Sequence, residues 1–446
     1  MVCHRALQKS LALVMVVLGL QLICVPSGLS WTTKDPHLAD EYAKALGFRA
    51  KDLVGKAAPE IKPGTVITGE TYRNYPGLTN VLPQSLYNRF DPASYAPLAP
   101  MRIEETNQYH LGRGWLEKSL ASAKTVRIGA DGVTLEGYVG GYTFIRPASG
   151  AELIQWADNE YVGDTIALRP MRMRLYGRKN TPEREMRQHL NGVRFLNCTD
   201  WRPEGIQPNK EMIHGVASGT FIYPRDISGT AYVRTRFIAA DRPDEFLLYV
   251  PSMRRVRRMS GADMQDPLFG SDLIWDDYNV HAQKLSTTDF PCNYKMLPPQ
   301  EMLLPTFVDY DWPYDRARSG FADYKVDEAG DQVFLHFGSW QRRWVYVCES
   351  VSKDSSYCYS KRVIVNDAET HLQLQADSYD QQGRLWRSGV RDYNLSQDGV
   401  GIMEDLGEII DHVNQHRTIL DMQGEKNPKW MGPEYGDVRF LSKKAK

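Results

Sequence analysis

Between Asp244 and Met259 an apolar strand-like run leads straight into four arginines, Arg254, Arg255, Arg257 and Arg258, spaced around Val256. Guanidinium groups at that density need water, carboxyl groups or the anionic end of a ligand. They could pair with the acids that follow (Asp263, Asp266, Asp272, Asp276 and Asp277), the ordinary outcome, since ion-pair networks arise without function. Alternatively they border a ligand entrance or contact a partner. The acid pairs Asp276-Asp277 and Asp244-Glu245 could do acid–base work only in a cleft of suitable geometry, and as loop acids they are ordinary partners for nearby arginines. His412 and His416 could share one face of a helix or alternate along a strand. With no third ligand in view they read as polar strand or loop residues, and no metal or cofactor is expected. The chain carries no His-Glu-x-x-His, no Gly-x-Ser-x-Gly and no phosphate or dinucleotide loop.

Aromatic residues are the other candidate chemistry. Trp275, Tyr278, Trp344, Tyr346 and Trp386 stand in the strand-rich half. Broad rings suit an apolar chain or ring system and equally suit a packed core.

Four cysteines follow the leader: Cys198, Cys292, Cys348 and Cys358. None has metal-knuckle or redox spacing. Cys348 and Cys358 flank a turn-like Lys-Asp-Ser-Ser between two strand-like runs, so a disulfide across that hairpin is expected, with Cys198 and Cys292 as the remaining pair.

The elements that must position these groups read as follows. Residues 1–30 have a basic start (Arg5, Lys9) and an apolar run from Leu11 to Leu22, the pattern of a secretory signal and too short for a span. The net charge of −1 becomes −3 once Arg5 and Lys9 are removed with it, a balance that argues against general nucleic-acid binding. Residues 31–114 begin with a helix spaced by Leu38, Tyr42 and Leu46 and ended near Gly47, then continue as a proline-rich arm laid on the body. "GWLEKSLASAK" and "SGAELIQWADNEY" read as two further helices. From Thr165 alternating segments dominate, separated by turn residues. They predict a mainly β protein with accessory α: a large, curved antiparallel sheet. The body is expected over 115–424 and a tail over 425–446.

"DEFLLYVPSMRRVRRMS", "DPLFGSDLIWDDY", "RVIVNDAETHLQLQADSYDQQGRLWR" and "NQHRTILDMQ" resemble the signature of outer-membrane lipoprotein-sorting proteins, similar to periplasmic lipoprotein carriers. "PEIKPGTVIT", "LPQSLYNRF" and "NQYHLGRGWLEKSL" resemble the N-terminal extension of a secreted proteobacterial family of unknown function. The resemblance implies an incomplete β-barrel covered by helices, a periplasmic location that could be peripheral to the outer membrane, and cooperation with envelope export machinery or an outer-membrane protein. It implies a non-enzymatic carrier for a hydrophobic small molecule or acyl chain. The rival is an envelope assembly protein whose interior is fully packed, and an enzyme acting on envelope lipids or glycans stands behind both. A deep apolar cavity separates carriage from assembly.

Overall fold

The alternation from Thr165 onward becomes strands because one set of side chains can face each layer of a three-layer body. The computed structural model describes residues 35–160, 163–199, 204–278, 280–306, 326–329, 332–335, 337, 339–395 and 402–444. The expected signal at 1–30 lies outside the described residues. In chain order the strands are β1 (Val66–Ile67), β2 (Met101–Glu104), β3 (Arg127–Ile128), β4 (Leu135–Glu136), β5 (Thr165–Tyr176), β6 (Pro182–Arg194), β7 (Ile213–Tyr223), β8 (Ala231–Phe237), β9 (Glu245–Val250) and β10 (Arg255–Met259). Then come β11 (Cys292–Thr306), β12 (Val326–Ala329), β13 (Gln332–Leu335), β14 (Ser339–Ser352), β15 (Lys361–Asp367), β16 (Gln373–Tyr379), β17 (Leu385–Leu395), β18 (Ile402–Asp411) and β19 (His416–Lys426).

Fifteen of these form one open sheet in the order β1-β2-β14-β15-β16-β17-β18-β19-β5-β6-β7-β8-β9-β10, with β11 also paired to β14. Only β2, parallel to β14, departs from the antiparallel pattern among the described pairings of this sheet. The protein is therefore mainly β, built on a large sheet that does not close.

Among the described residues seven α-helices lie around it: α1 (Pro36–Leu46), α2 (Ala50–Leu53), α3 (Leu78–Val81), α4 (Gln84–Tyr87), α5 (Arg113–Ser122), α6 (Gly150–Asp158) and α7 (Val438–Lys444). Local chemistry sets their ends. Asp35 caps α1 by accepting from the Leu38 amide at 3.0 Å, and Gly47 ends the helix in the left-handed region at φ 81°. At α6, Ser149 accepts from the Glu152 amide while the Glu152 carboxyl accepts from the Ala148 amide. No described helix is long and apolar enough to cross a membrane.

One face of the sheet carries the N-terminal arm and the C-terminal helix. Leu78, Leu86, Phe90 and Ile103 of the arm pack with Tyr176, Val390 and Ile419, and α7 packs Val438 and Leu441 on Ala167, Val193 and Val233. The opposite face is covered by the segment 260–290, with Met264, Leu268, Leu273 and Trp275 against Met173, Met186, Ile409 and Leu420, and by α6. Burial on both faces forces charged strand residues inside, where each needs a partner. Glu408 of β18 takes Arg89 of the arm at 2.7 Å and Arg417 of β19, and its two arginines hold the carboxyl below its ordinary range against the opposing effect of burial. Arg343 of β14 spans Asp367 and Glu369.

The expected disulfides are not formed: Cys198, Cys292, Cys348 and Cys358 are all unbonded thiols. The hairpin register explains the first correction. Cys348 lies opposite Ile364, whereas Cys358 falls in the turn beyond the last pair, Val351 with Lys361. Its neighbours Tyr357 and Tyr359 are buried against the cover segment, and the Cys358 amide donates to the Gln265 side chain at 2.5 Å. The Cys198 thiol donates to the carbonyl of Arg194 on β6, and the Cys292 thiol, at the start of β11, to the carbonyl of Phe290.

Two outcomes follow from this packing. Glu408→Gln strands two buried guanidinium groups and should lower stability by about 3 kcal/mol, read as a shift in urea midpoint with unchanged m-value. Peptide mapping without reductant should recover the four thiols unlinked, and a linked Cys348–Cys358 peptide would contradict the register.

Candidate functional site

A cavity of about 260 Å³ lies between the sheet and the cover segment. Its floor is apolar: Ile166, Leu168 and Met171 of β5, Leu190 of β6, and Leu420 and Met422 of β19. A bulge at Arg169-Pro170 makes this floor continuous. Without the shift, Met171 and Met173 would take the opposite face from Ile166 and Leu168, but all four pack in one cluster. Phe246 of β9 and Tyr232 of β8 close one flank, and Trp275 and Tyr278 come down from the cover. Phe246 and Trp275 meet edge to face at 4.4 Å, and Tyr232 and Trp275 at 4.9 Å.

The cover is irregular chain with short 3-10 turns at Ala262–Gln265, Leu268–Gly270 and Trp275–Asp277, so backbone ladders do not fix it. Side-chain acids do. Asp272 accepts from Thr418 at 2.8 Å and meets His416 Nδ1 at 2.7 Å. Asp276 meets Arg234 at 3.2 Å and the Tyr357 hydroxyl at 3.0 Å. Asp277 meets Arg362 at 3.0 Å and the Tyr359 hydroxyl at 2.9 Å, and also accepts from the Ile274 amide. All three acids are buried, and their partners come from β8, β15, β19 and the turn before β15. His416 also reaches Glu183 at 3.0 Å, and its hydrogen bond to Asp272, with both acids' charge, raises its pKa to about 9 against partial burial.

Besides Asp164, Asn191, Arg194 and His214, polar groups border the apolar cavity at two places. The Tyr232 hydroxyl donates to Gln188 at 3.0 Å, and the Gln188 amide donates to the Tyr278 hydroxyl at 3.2 Å, tying floor to cover. Gly219, opposite Tyr232 in the β7–β8 ladder, makes room for this ring: a Cβ there would lie 2.5 Å from it. At the other place Arg234 and Arg236 share Asp244, at 2.9 and 3.0 Å, with Lys284 at 3.7 Å. Burial opposes the Asp244 charge, yet these three cations outweigh it and hold the carboxyl at about 2. A second, more polar cavity of about 220 Å³ shares His214 and Arg236 with the first and adds Gln155, Asn159 and Lys284.

Trp275 and Tyr278 thus line the cavity; the other three expected aromatics are elsewhere. Trp344 is half-buried on β14 opposite Glu301 of β11. Tyr346 stands edge to face with Trp156 of α6, and Trp386 donates from Nε1 to Asp411. The arginines of the 254–258 run do not line it either. All four are exposed on the turn and strand of β10, where Arg257 reaches Asp263 at 3.3 Å and Arg258 reaches Glu245 at 3.6 Å. The acids at 272, 276 and 277 do pair, but with His416 and with arginines from other strands. Tyr232, Phe246, Arg234 and Arg236 went unidentified in the sequence, although their alternation in "AYVRTRF" and "EFLLYV" was the available signal.

Among the described residues no group of three or more His, Cys, Asp or Glu side chains gathers around His412. His412 lies 2.7 Å from Ser388 Oγ, which is 2.8 Å from Asp377. The order is wrong for a nucleophile triad, because the carboxyl touches the serine and not the histidine. When Ser388 gives its one proton to Asp377, His412 Nε2 must donate, and a donating nitrogen cannot act as base toward that hydroxyl.

The model of a family described as protein of unknown function (DUF1329) matches residues 67–444. No curated protein matches the sequence. Among solved structures, a domain from Vibrio parahaemolyticus described as belonging to an outer-membrane lipoprotein-sorting protein aligns at 16% identity and TM-score 0.44 over 66% of this chain and 98% of its own. A DUF1329 family protein from Desulfovibrio piger aligns at 14% identity and TM-score 0.43, over 66% and 97%. A LolA superfamily protein from Nitrosomonas europaea aligns at 12% identity and TM-score 0.37, over 66% and 100%. At that distance the likeness speaks to neither ligand nor partner.

The His416 clamp gives a pH signature. Its raised pKa contributes stability that is complete below about 6.5 and lost as pH rises through about 9. Melting temperature should therefore fall more steeply between pH 6 and 10 in the native protein than in His416→Gln; superimposable slopes would count against the clamp. Gly219→Val should displace the Tyr232 ring and cost about 1–3 kcal/mol by overpacking, measured by denaturant unfolding.

Proposed function

We propose a function for a chain that belongs to the DUF1329 family and has a partly open, mainly apolar cavity between sheet and cover: it binds a hydrophobic ligand reversibly, as a carrier or binding protein of the cell envelope. The cavity is the observation that supports this reading. A fully packed interior, the mark of an assembly protein, would have no such space. Its volume of about 260 Å³ sits just under the roughly 300–1,000 Å³ of pockets that hold drug-sized molecules. That size suits one apolar chain or a compact ring system better than a bundle of acyl chains. Transfer from water would contribute about 0.8 kcal/mol per buried methylene. The Tyr232, Gln188 and Tyr278 groups can exchange hydrogen bonds with a polar substituent, and the neighbouring polar cavity offers room for a ligand's hydrated end.

Release requires the cover to move, and the cover is held by side-chain contacts that can be broken and remade individually. Entry from an extracytoplasmic side and hand-over to an envelope component are part of the same reading, supported by the leader-like N-terminus and the sequence resemblance.

The test is direct. Mass spectrometry of organic extracts from natively purified protein should find a molecule with a long apolar portion or fused rings. A fluorescent apolar probe should bind the stripped protein, and Leu190→Trp, which fills the cavity, should weaken that binding at least tenfold with little change in melting temperature. Equal probe binding by the two proteins would remove the cavity from the function.

A further inference from the structure

The hairpin of β9 and β10 has two chemically different ends. Its base is part of the cavity: Phe246, opposite Met259, is a wall residue. Its tip faces solvent with Met253 61% and Val256 44% exposed, among the larger exposures of any described apolar side chain. Between Phe246 and Ala262 the sequence carries Arg254, Arg255, Arg257 and Arg258 and no acid, on a chain whose overall charge is −1. Arg257 and Arg258 keep exposed partners at 3.3 and 3.6 Å, contacts that salt and solvent weaken. Among the described residues neither Arg254 nor Arg255 has an ion pair. The strand pairing sends Arg255 and Arg257 to one face of the ribbon and Val256 and Arg258 to the other, with Met253 and Arg254 in the turn.

We propose that this tip docks on an anionic lipid surface, with Met253 and Val256 entering the headgroup layer and the arginines meeting lipid phosphates. Cations on both faces around an apolar tip fit immersion in a charged layer. A protein partner would cover one face of the ribbon, whereas a headgroup layer meets Arg255, Arg257 and Arg258 on both faces at once. Arginine binds phosphate in two-pronged fashion, and each basic residue near an anionic surface adds to the attraction. The inference rests on the cavity reading for its purpose. Val250 lies four residue steps beyond Phe246, roughly 14 Å along the strand, so a docked tip holds the cavity wall close to the lipid from which a ligand would be taken or to which it would be given.

Flotation with vesicles of phosphatidylglycerol and of phosphatidylcholine tests it, with the apolar-probe assay run in parallel without vesicles. The native chain should float with the anionic vesicles, lose binding as salt rises, and ignore the neutral ones. R254Q/R255Q/R257Q/R258Q and, separately, Met253→Asp should each lower vesicle binding at least tenfold while probe binding stays within twofold. Equal flotation of native and quadruple-variant proteins overturns the proposal. So does the absence of flotation by the native chain, which leaves the arginines to an acidic protein surface. Vesicle binding that persists without any probe binding overturns the carrier reading and not the docking.

Discussion

Three buried aspartates in irregular chain hold this structure in its functional form. Asp272, Asp276 and Asp277 sit in a cover segment with little backbone ladder of its own, and taking carboxyl groups out of water costs several kcal/mol each unless they are well met. Each is met by at least two side chains on the sheet or its turns. Those contacts set the height of the cover above the strands. Were the cover free to settle, apolar attraction would draw Trp275 and Tyr278 onto the floor and close the space.

The same constraint explains the unusual interior of the sheet. A sheet covered on both faces has no water-facing side on which to place charge. Arg343, Arg362, Arg391 and Arg417 are accordingly fully buried and committed to acids or carbonyls: Arg362 to the cover, Arg391 to Glu160, Arg417 to Glu408 and the Val333 carbonyl. Such pairs add little net stability against apolar replacements, but removing one member is costly, so they select one arrangement of layers over others. The N-terminal arm is held in this way too, by Arg89 on Glu408 and by Ser85 on Asp377. A sheet face that would otherwise be a flat apolar surface becomes a keyed one.

The apolar cavity is a region where the layers do not fill the volume between them. The cavity's apolar floor offers burial, its tyrosine–glutamine group offers exchangeable hydrogen bonds, and its Arg234 and Arg236 are already paired with Asp244 and Asp276. A ligand entering here would meet Arg234 and Arg236 already paired with acids.

Much of the frame is written locally. The cap at Asp35, the break at Gly47, the Ser149 start of α6 and the strand alternation after Thr165 each depend on backbone geometry within a few residues, so the chain states them directly. Trp275 and Tyr278 stood out only as aromatic residues in the strand-rich half, a feature that suits a cavity and a packed core equally. Which arginine meets which acid was not legible. The acids after residue 260 were expected to serve the nearby run from Arg254 to Arg258, but Asp277 reaches Tyr359 across 82 residues and Asp272 reaches His416 across 144. The two disulfides failed likewise, since a turn-like spacing does not give the register that leaves Cys358 beyond the last strand pair. Periodicity is a property of the backbone and travels with the sequence; the pairing of charges and the volume left between layers depend on distances that exist only after the strands have been ordered in space.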